Sequence, residues 1–487
     1  MRAMRKPLLL IAAALLSLSA QAAEPLLKPC RLRGVEHEAL CGVQQRPLDP
    51  AQPQGVQIDV HYAVLPALAR NKKPDPVFFF AGGPGQSAIE IAQQVGAMLG
   101  RFTNRRDIVL IDQRGVGKSA PLVCEPDDPA RSLAAQFDVK RVREQQAQCL
   151  DKLKALPHGD LRFFTTTIAM ADADAVRAAL GAEKINLVGG SYGTRAALEY
   201  QRQFPQHVRR AVIDGVAPPD MVLPASFSVD NQAALDALFA ACENDKACAA
   251  REPQLAPRWR ALLASLPRSV TLEHPLTGHG ESIELTRETL LAMVRGPLYV
   301  PALAAALPVA IGEASRGRFE PLAGVTMSVG GRRGTPIAAG MHFAVVCAED
   351  FPRRDRATDK PGVDFGGTFA SLYDDTCPTV ARGSVPAAFY TVSAAPAATL
   401  VLSGGLDPVT PPRHGKRVAK ALGAKARHVV VPNAGHGVMG IGCMRDVLHR
   451  FVDAATDEEA LKVDASCVTA IPRPTMFAPM ALKAETP

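Results

Sequence analysis

The strongest constraint on the fold is a rhythm. From about residue 55 to 215, short apolar runs alternate with helical patterns; the rhythm then breaks and resumes near residue 398. Val56, Ile58, Val60, Tyr62 and Val64 alternate with polar or small residues, which reads as a half-exposed antiparallel strand. Val77 to Phe80, Ile108 to Ile111, Ile185 to Val188 and Ala211 to Ile213 are continuous apolar runs, as in parallel strands buried on both faces. Between them, Ala169, Ala173, Val176 and Leu180 recur at helical spacing. Strands alternating with helices predict an α/β class with a mostly parallel central sheet and helices on both faces.

The interruption has its own character. Ala233 to Ala250 and Glu288 to Glu313 read as helical, Val270 to Leu285 as a weak hairpin, and Gly-rich Gly324 to Gly340 as a loop. Thr399 to Leu402 and His428 to Val431 restore the strand signal, with helical Arg413 to Leu422 between them. The expected organisation is a core in residues 23–216 and 396–487, split by a mostly helical cap inserted at 217–395, before the last strands.

Residues 1–22 carry Arg2, Arg5 and Lys6 ahead of the apolar run Pro7 to Leu18, and Ala20-Gln21-Ala22 offers a small-x-small cleavage pattern. That is the layout of a secretory signal peptide, and the run is too short to span a bilayer. Beyond it stand 52 basic and 48 acidic residues, a net charge of +4 with no run of five basic residues. No nucleic-acid footprint arises from such a balance, and no stable membrane anchor is expected after cleavage. The ten cysteines fall into close couples: Cys30/Cys41, Cys124/Cys149, Cys242/Cys248, Cys347/Cys377 and Cys443/Cys467. Disulfides in an oxidising compartment, periplasmic or secreted, are expected; the pairing rests on proximity alone. Neither C-x-x-C nor H-E-x-x-H occurs, so no metal or cofactor is expected.

Gly189-Gly190-Ser191-Tyr192-Gly193 fits G-x-S-x-G and sits between the buried strand Ile185 to Val188 and a helix. A strand-to-helix turn there presents the Ser191 hydroxyl at a helix N-terminus, where developing negative charge is stabilised. A serine nucleophile needs a base and an orienting carboxylate, in the chain order Ser, Asp, His for this arrangement. His436, in Asn433-Ala434-Gly435-His436-Gly437 just past a strand, is the expected base. Asp407, in Ser403-Gly404-Gly405-Leu406-Asp407-Pro408, is the expected carboxylate, with Asp214 its rival. His414 and His428 lack that strand-end loop setting and read as surface or edge residues, while His61 and His342 read as structural. Tyr192 and Gly83, the latter in Ala81-Gly82-Gly83-Pro84-Gly85, are the expected oxyanion N–H donors. Gly117-Lys118-Ser119 imitates a phosphate loop but has Asp112 where that motif requires glycine.

Gly82 to Ser87, Asp112 to Ser119, Thr165-Thr166, Ala171 to Arg177, Gly190 to Thr194 and Gly405 to Pro411 together resemble proline iminopeptidases and, more closely, tripeptidyl aminopeptidase-like α/β-hydrolases. The resemblance runs from about residue 60 to 450 and is weakest in the insertion. It implies an α/β-hydrolase fold with a TAP-like C-terminal region, and exopeptidase action on short peptides near a free amino terminus. It further implies cap carboxylates that meet the substrate ammonium, for which Glu349 and Asp350 are the candidates. An esterase or other acyl hydrolase on the same scaffold is the competing expectation.

Overall fold

The computed structural model describes residues 26–125, 128, 130–274, 276–331 and 337–479. The expected signal peptide at residues 1–22 lies outside them. Eleven strands are described: β1 (Leu27–Cys30), β2 (Ala39–Pro47), β3 (Gln57–Leu65), β4 (Val77–Phe80), β5 (Ile108–Ile111), β6 (Ile185–Gly190), β7 (Val208–Asp214), β8 (Arg268–Glu273), β9 (Gly280–Leu285), β10 (Thr399–Gly404) and β11 (Ala426–Val431). Six helices carry or flank the candidate site residues: α1 (Thr166–Ala179), α2 (Tyr192–Gln203), α3 (Ala225–Asn244), α4 (Arg287–Leu298), α5 (Ala339–Glu349) and α6 (Pro412–Leu422).

Nine strands form one sheet in the order β1-β2-β3-β5-β4-β6-β7-β10-β11. The β1-β2-β3-β5 pairings are antiparallel, and every pairing from β5 onward to β11 is parallel. The apolar runs are continuous because both faces are covered: Phe78 and Phe80 join one core, Val77 and Phe79 the other. The β1–β2 hairpin has no clear signal in the sequence. Its strand β2 carries Gln44, Gln45 and Arg46, which weaken the alternation.

β7 and β10 are neighbours in the sheet although some 180 residues separate them in sequence, so the intervening chain is an insertion between adjacent strands. Much of it gathers around a core of its own, with Trp259, Leu290, Leu291 and Phe319 buried. One expectation needs correction here. Glu320–Gly331 is helical, not a loop, because Leu322 and Ala323 pack into that core and outweigh the poor helix propensity of the glycines. Residues 332–336 of that expected loop lie outside the described residues.

The cysteines form five disulfides: Cys30–Cys41, Cys124–Cys149, Cys242–Cys248, Cys347–Cys377 and Cys443–Cys467. Among the described residues, no helix is long and apolar enough to cross a membrane.

Candidate active site

Ser191 stands between β6 and α2 with φ 55° and ψ −124°, a backbone conformation that residues bearing a Cβ rarely adopt. Two glycines make this turn possible. A Cβ on Gly189 would lie 2.2 Å from the Gly193 carbonyl oxygen, and one on Gly193 would lie 2.1 Å from the Phe80 carbonyl oxygen. The Ser191 N–H donates to the Asp214 carbonyl at 2.8 Å, tying the turn to the end of β7.

The residue after Asp214, Gly215, carries the histidine. A Cβ there would meet His436 Cε1 at 3.2 Å, so the imidazole lies directly on this backbone, beside the serine turn. His436 Nδ1 donates to Asp407 Oδ2 at 2.8 Å. Asp407 also accepts from the N–H groups of Val409 (2.9 Å) and Thr410 (2.8 Å) and from Thr410 Oγ1 (2.8 Å). Burial pushes the Asp407 carboxyl up, but His436 and these hydrogen bonds outweigh it and hold the carboxyl below its ordinary range. Burial likewise lowers the His436 imidazole; the charge and hydrogen bond of Asp407, with Asp214 behind them, outweigh that and raise it.

Asp214 has a different place from Asp407. Its Oδ2 accepts from the N–H groups of Val438 (2.6 Å) and Met439 (2.9 Å), two and three residues past His436, while Oδ1 is buried without a partner. Burial pushes this carboxyl up to about 6, against the pull of those two N–H groups. Asp214 thus braces the histidine loop, and its main chain holds the serine turn. Thr410 is a site residue that the sequence reading missed, though an Asp followed three residues later by Thr is the signature of a side-chain-closed turn.

The loop after β4 faces the serine: a Cβ on Gly82 would stand 3.2 Å from Ser191 Cβ. Among the described residues, the N–H groups of Gly83 and Tyr192 make no hydrogen bond, leaving two donors beside Ser191. The loop is held from the insertion. His342 Nδ1 donates to the Pro84 carbonyl at 3.2 Å, and Ala338 N–H donates to Gly85 at 2.9 Å. Burial drives the His342 imidazole down to about 4, so it is neutral, and Nε2 accepts from the Tyr373 hydroxyl at 3.0 Å.

A cavity of about 50 Å³ adjoins Ser191, lined by Gly83, Tyr192, Arg195, Ala217, Met221, Leu223, Phe227, Tyr299, Val409 and Thr410. It has room for a few waters or one small apolar side chain. Glu349 and Asp350 do not face it as free acids, which corrects the expected ammonium site. Both are fully buried and bonded to Arg195: Nη1 reaches Asp350 Oδ2 at 2.9 Å and Glu349 Oε2 at 3.3 Å, and Nη2 reaches Asp350 Oδ1 at 3.0 Å. Glu349 further accepts from the N–H (2.7 Å) and Oγ1 (3.0 Å) of Thr166. A buried carboxylate needs a partner, and here the protein supplies its own cation.

A match to the family described as alpha/beta hydrolase fold spans residues 75–309, and one to the family described as TAP-like protein spans residues 363–467. The chain has the alpha/beta hydrolase fold and is similar to TAP-like proteins over its C-terminal part. Gly83, Ser191 and Tyr192 fall in the first match and Asp407 and His436 in the second, while Glu349 and Asp350 fall in neither. A tripeptidyl aminopeptidase of Streptomyces lividans is 33% identical over 195 residues, 37% of this chain and 35% of the relative. The serine protease Hip1 of Mycobacterium tuberculosis is 34% identical over 210 residues, 39% of each chain. A carboxylesterase B, also of Mycobacterium tuberculosis, is 28% identical over 228 residues, 43% of each chain. The matched stretches are well under two thirds of each relative's length.

Proposed function

We propose that this α/β-hydrolase is an exported serine exopeptidase that cleaves short peptides near a free amino terminus through a Ser191–His436–Asp407 triad. The observation that carries the reading is the His436–Asp407 pair laid on Gly215 beside the strained Ser191 turn, with the Gly83 and Tyr192 N–H groups free. His436 Nε2 takes the Ser191 proton as Oγ attacks the scissile carbonyl, and Gly83 and Tyr192 receive the oxyanion. The imidazolium returns its proton to the leaving amine, giving an acyl-enzyme and a released peptide. Water, deprotonated by His436, then attacks the ester, and Ser191 leaves with the proton. The preference for a peptide amine rests on the TAP-like match and on the named peptidases among the relatives. Export rests on the disulfides, which persist in an oxidising compartment.

The test is a panel of mono-, di- and tripeptidyl p-nitroanilides, free and N-acetylated, beside short-chain p-nitrophenyl esters. Cleavage of the free-amino amides, blocked by acetylation, is the expected result. Robust ester turnover without amide cleavage would replace the exopeptidase with an esterase.

The same geometry sets the pH dependence. Catalysis needs neutral His436, whose pKa is raised by Asp407 and Asp214. The acid limb of kcat/KM is therefore expected above pH ~6.5, the ordinary histidine value. Asp214→Asn keeps an acceptor for Val438 and Met439 but removes a negative charge, so the limb should move to lower pH. A limb that stays in place in the variant would show that Asp214 does not act on His436.

A further inference from the structure

Arg195 and Arg295 are both cations near the cavity, and their surroundings are opposite. Arg195 is paired with two carboxylates, although its Nε is buried without a partner. Arg295, on α4, has no carboxylate within 4 Å among the described residues, although it is only partly exposed. Its guanidinium carbon lies 5.1 Å from the ring centroids of Phe227 and Phe369 and 5.8 Å from that of Tyr299. Its one side-chain hydrogen bond among the described residues goes from Nη2 to Tyr299 Oη at 3.2 Å, and Nε is buried without a partner.

The position of this cation is defined by its aromatic neighbours. Tyr299 and Phe227 line the Ser191 cavity. Tyr299 also accepts the His436 N–H at its carbonyl (3.2 Å) and sets its ring edge-on to the imidazole, with centroids 5.3 Å apart. The Arg295 charge also acts on the Tyr373–His342 pair, which holds Pro84 of the loop facing the serine. Burial lowers His342, and the charge of Arg295 adds to that fall. Aromatic faces favour a cation and strip water from it, but they neutralise no charge. A planar guanidinium left with unused donors is suited to a carboxylate, which it can bind through two parallel hydrogen bonds.

We infer that Arg295 binds a carboxylate of the substrate at the mouth of the Ser191 cavity. The inference rests on the exopeptidase reading and deepens it: the favoured substrates carry a negative group near the scissile bond. That group is either the free C-terminus of a short peptide or an acidic side chain.

The experiment compares kcat/KM for matched peptides in two arms. One arm pairs a free C-terminus with its amide; the other pairs a glutamate on the leaving side with glutamine, both C-terminally amidated. Wild-type enzyme should favour the carboxylate by about tenfold or more in at least one arm, mainly through KM, and that arm identifies the source. Arg295→Gln should erase the preference, lowering kcat/KM for the carboxylate peptide by about tenfold more than for its neutral counterpart; Arg295→Lys should keep part of it. No preference in either arm, or a parallel loss on neutral and acidic peptides in Arg295→Gln, overturns the inference and leaves the exopeptidase reading standing. If wild type cleaves no peptide at all, that reading falls and Arg295 is judged by protection of Ser191 from a fluorophosphonate. Protection by N-acetylalanine but not by its amide, lost in Arg295→Gln, upholds the carboxylate site; equal protection by both ends it.

Discussion

Ser191→Ala is expected to lower kcat by roughly 10⁴-fold or more and to abolish fluorophosphonate labelling, with little change in thermal stability. The separation of the two effects comes from the backbone. Ser191 already carries a Cβ at φ 55°, so alanine meets the same strain and removes only the hydroxyl. Among the described residues, Ser191 Oγ makes no hydrogen bond whose loss would weaken the fold. Ser191→Gly should behave differently: it relieves a conformation that costs about 1–3 kcal/mol, so the inactive glycine variant should melt above wild type. The checks are a burst-titrated rate on an activated ester and a calorimetric melt of each variant. Appreciable residual labelling of the alanine variant would remove Ser191 from the mechanism.

The central sheet is legible in the sequence because its parallel strands are uninterrupted apolar runs. Ser191, Asp407 and His436 are legible because each comes directly after such a run, so a strand end places them without any tertiary contact. The same local logic fails where partners are remote. Glu349-Asp350 reads as a free acidic pair because its cation, Arg195, lies 154 residues away in sequence. Arg295 announces only its partner one helical turn on, Tyr299; Phe227 and Phe369 come from other parts of the insertion. His342 reads as structural, which is true of its burial, but its bond to Pro84 places it in support of the loop facing Ser191. The helix Glu320–Gly331 is hidden by glycines whose cost is offset by packing that no local pattern shows.

Arg195→Met should be the most damaging single change away from the triad, with an expected loss of about 3–5 kcal/mol. Arg195 lies on α2 of the sheet domain, Glu349 at the end of α5 and Asp350 just beyond it, so the cation joins the nucleophile helix to the insertion. It also donates to the carbonyls of Pro218 and Met221, while Asp350 accepts the Leu223 N–H at 3.2 Å. Two of the residues that line the Ser191 cavity are thereby fixed by this cluster. Removing the arginine leaves two buried carboxyls that must take up protons. Burial already pushes Glu349 up to about 7 and raises Asp350, even with Arg195 in place to oppose it. Without Arg195 the native state binds more protons than the unfolded chain over a wide range, so stability falls as pH rises. The variant should therefore lose much more at pH 8 than at pH 5. Adding Glu349→Gln and Asp350→Asn removes the uncompensated charges and should recover a substantial part of the loss at pH 8, because a buried ion cluster costs most when only one sign is deleted. Melts of the single and triple variants at the two pH values decide the matter: a loss independent of pH, or one the triple variant does not reduce, would mean that Arg195 acts through packing and not through charge.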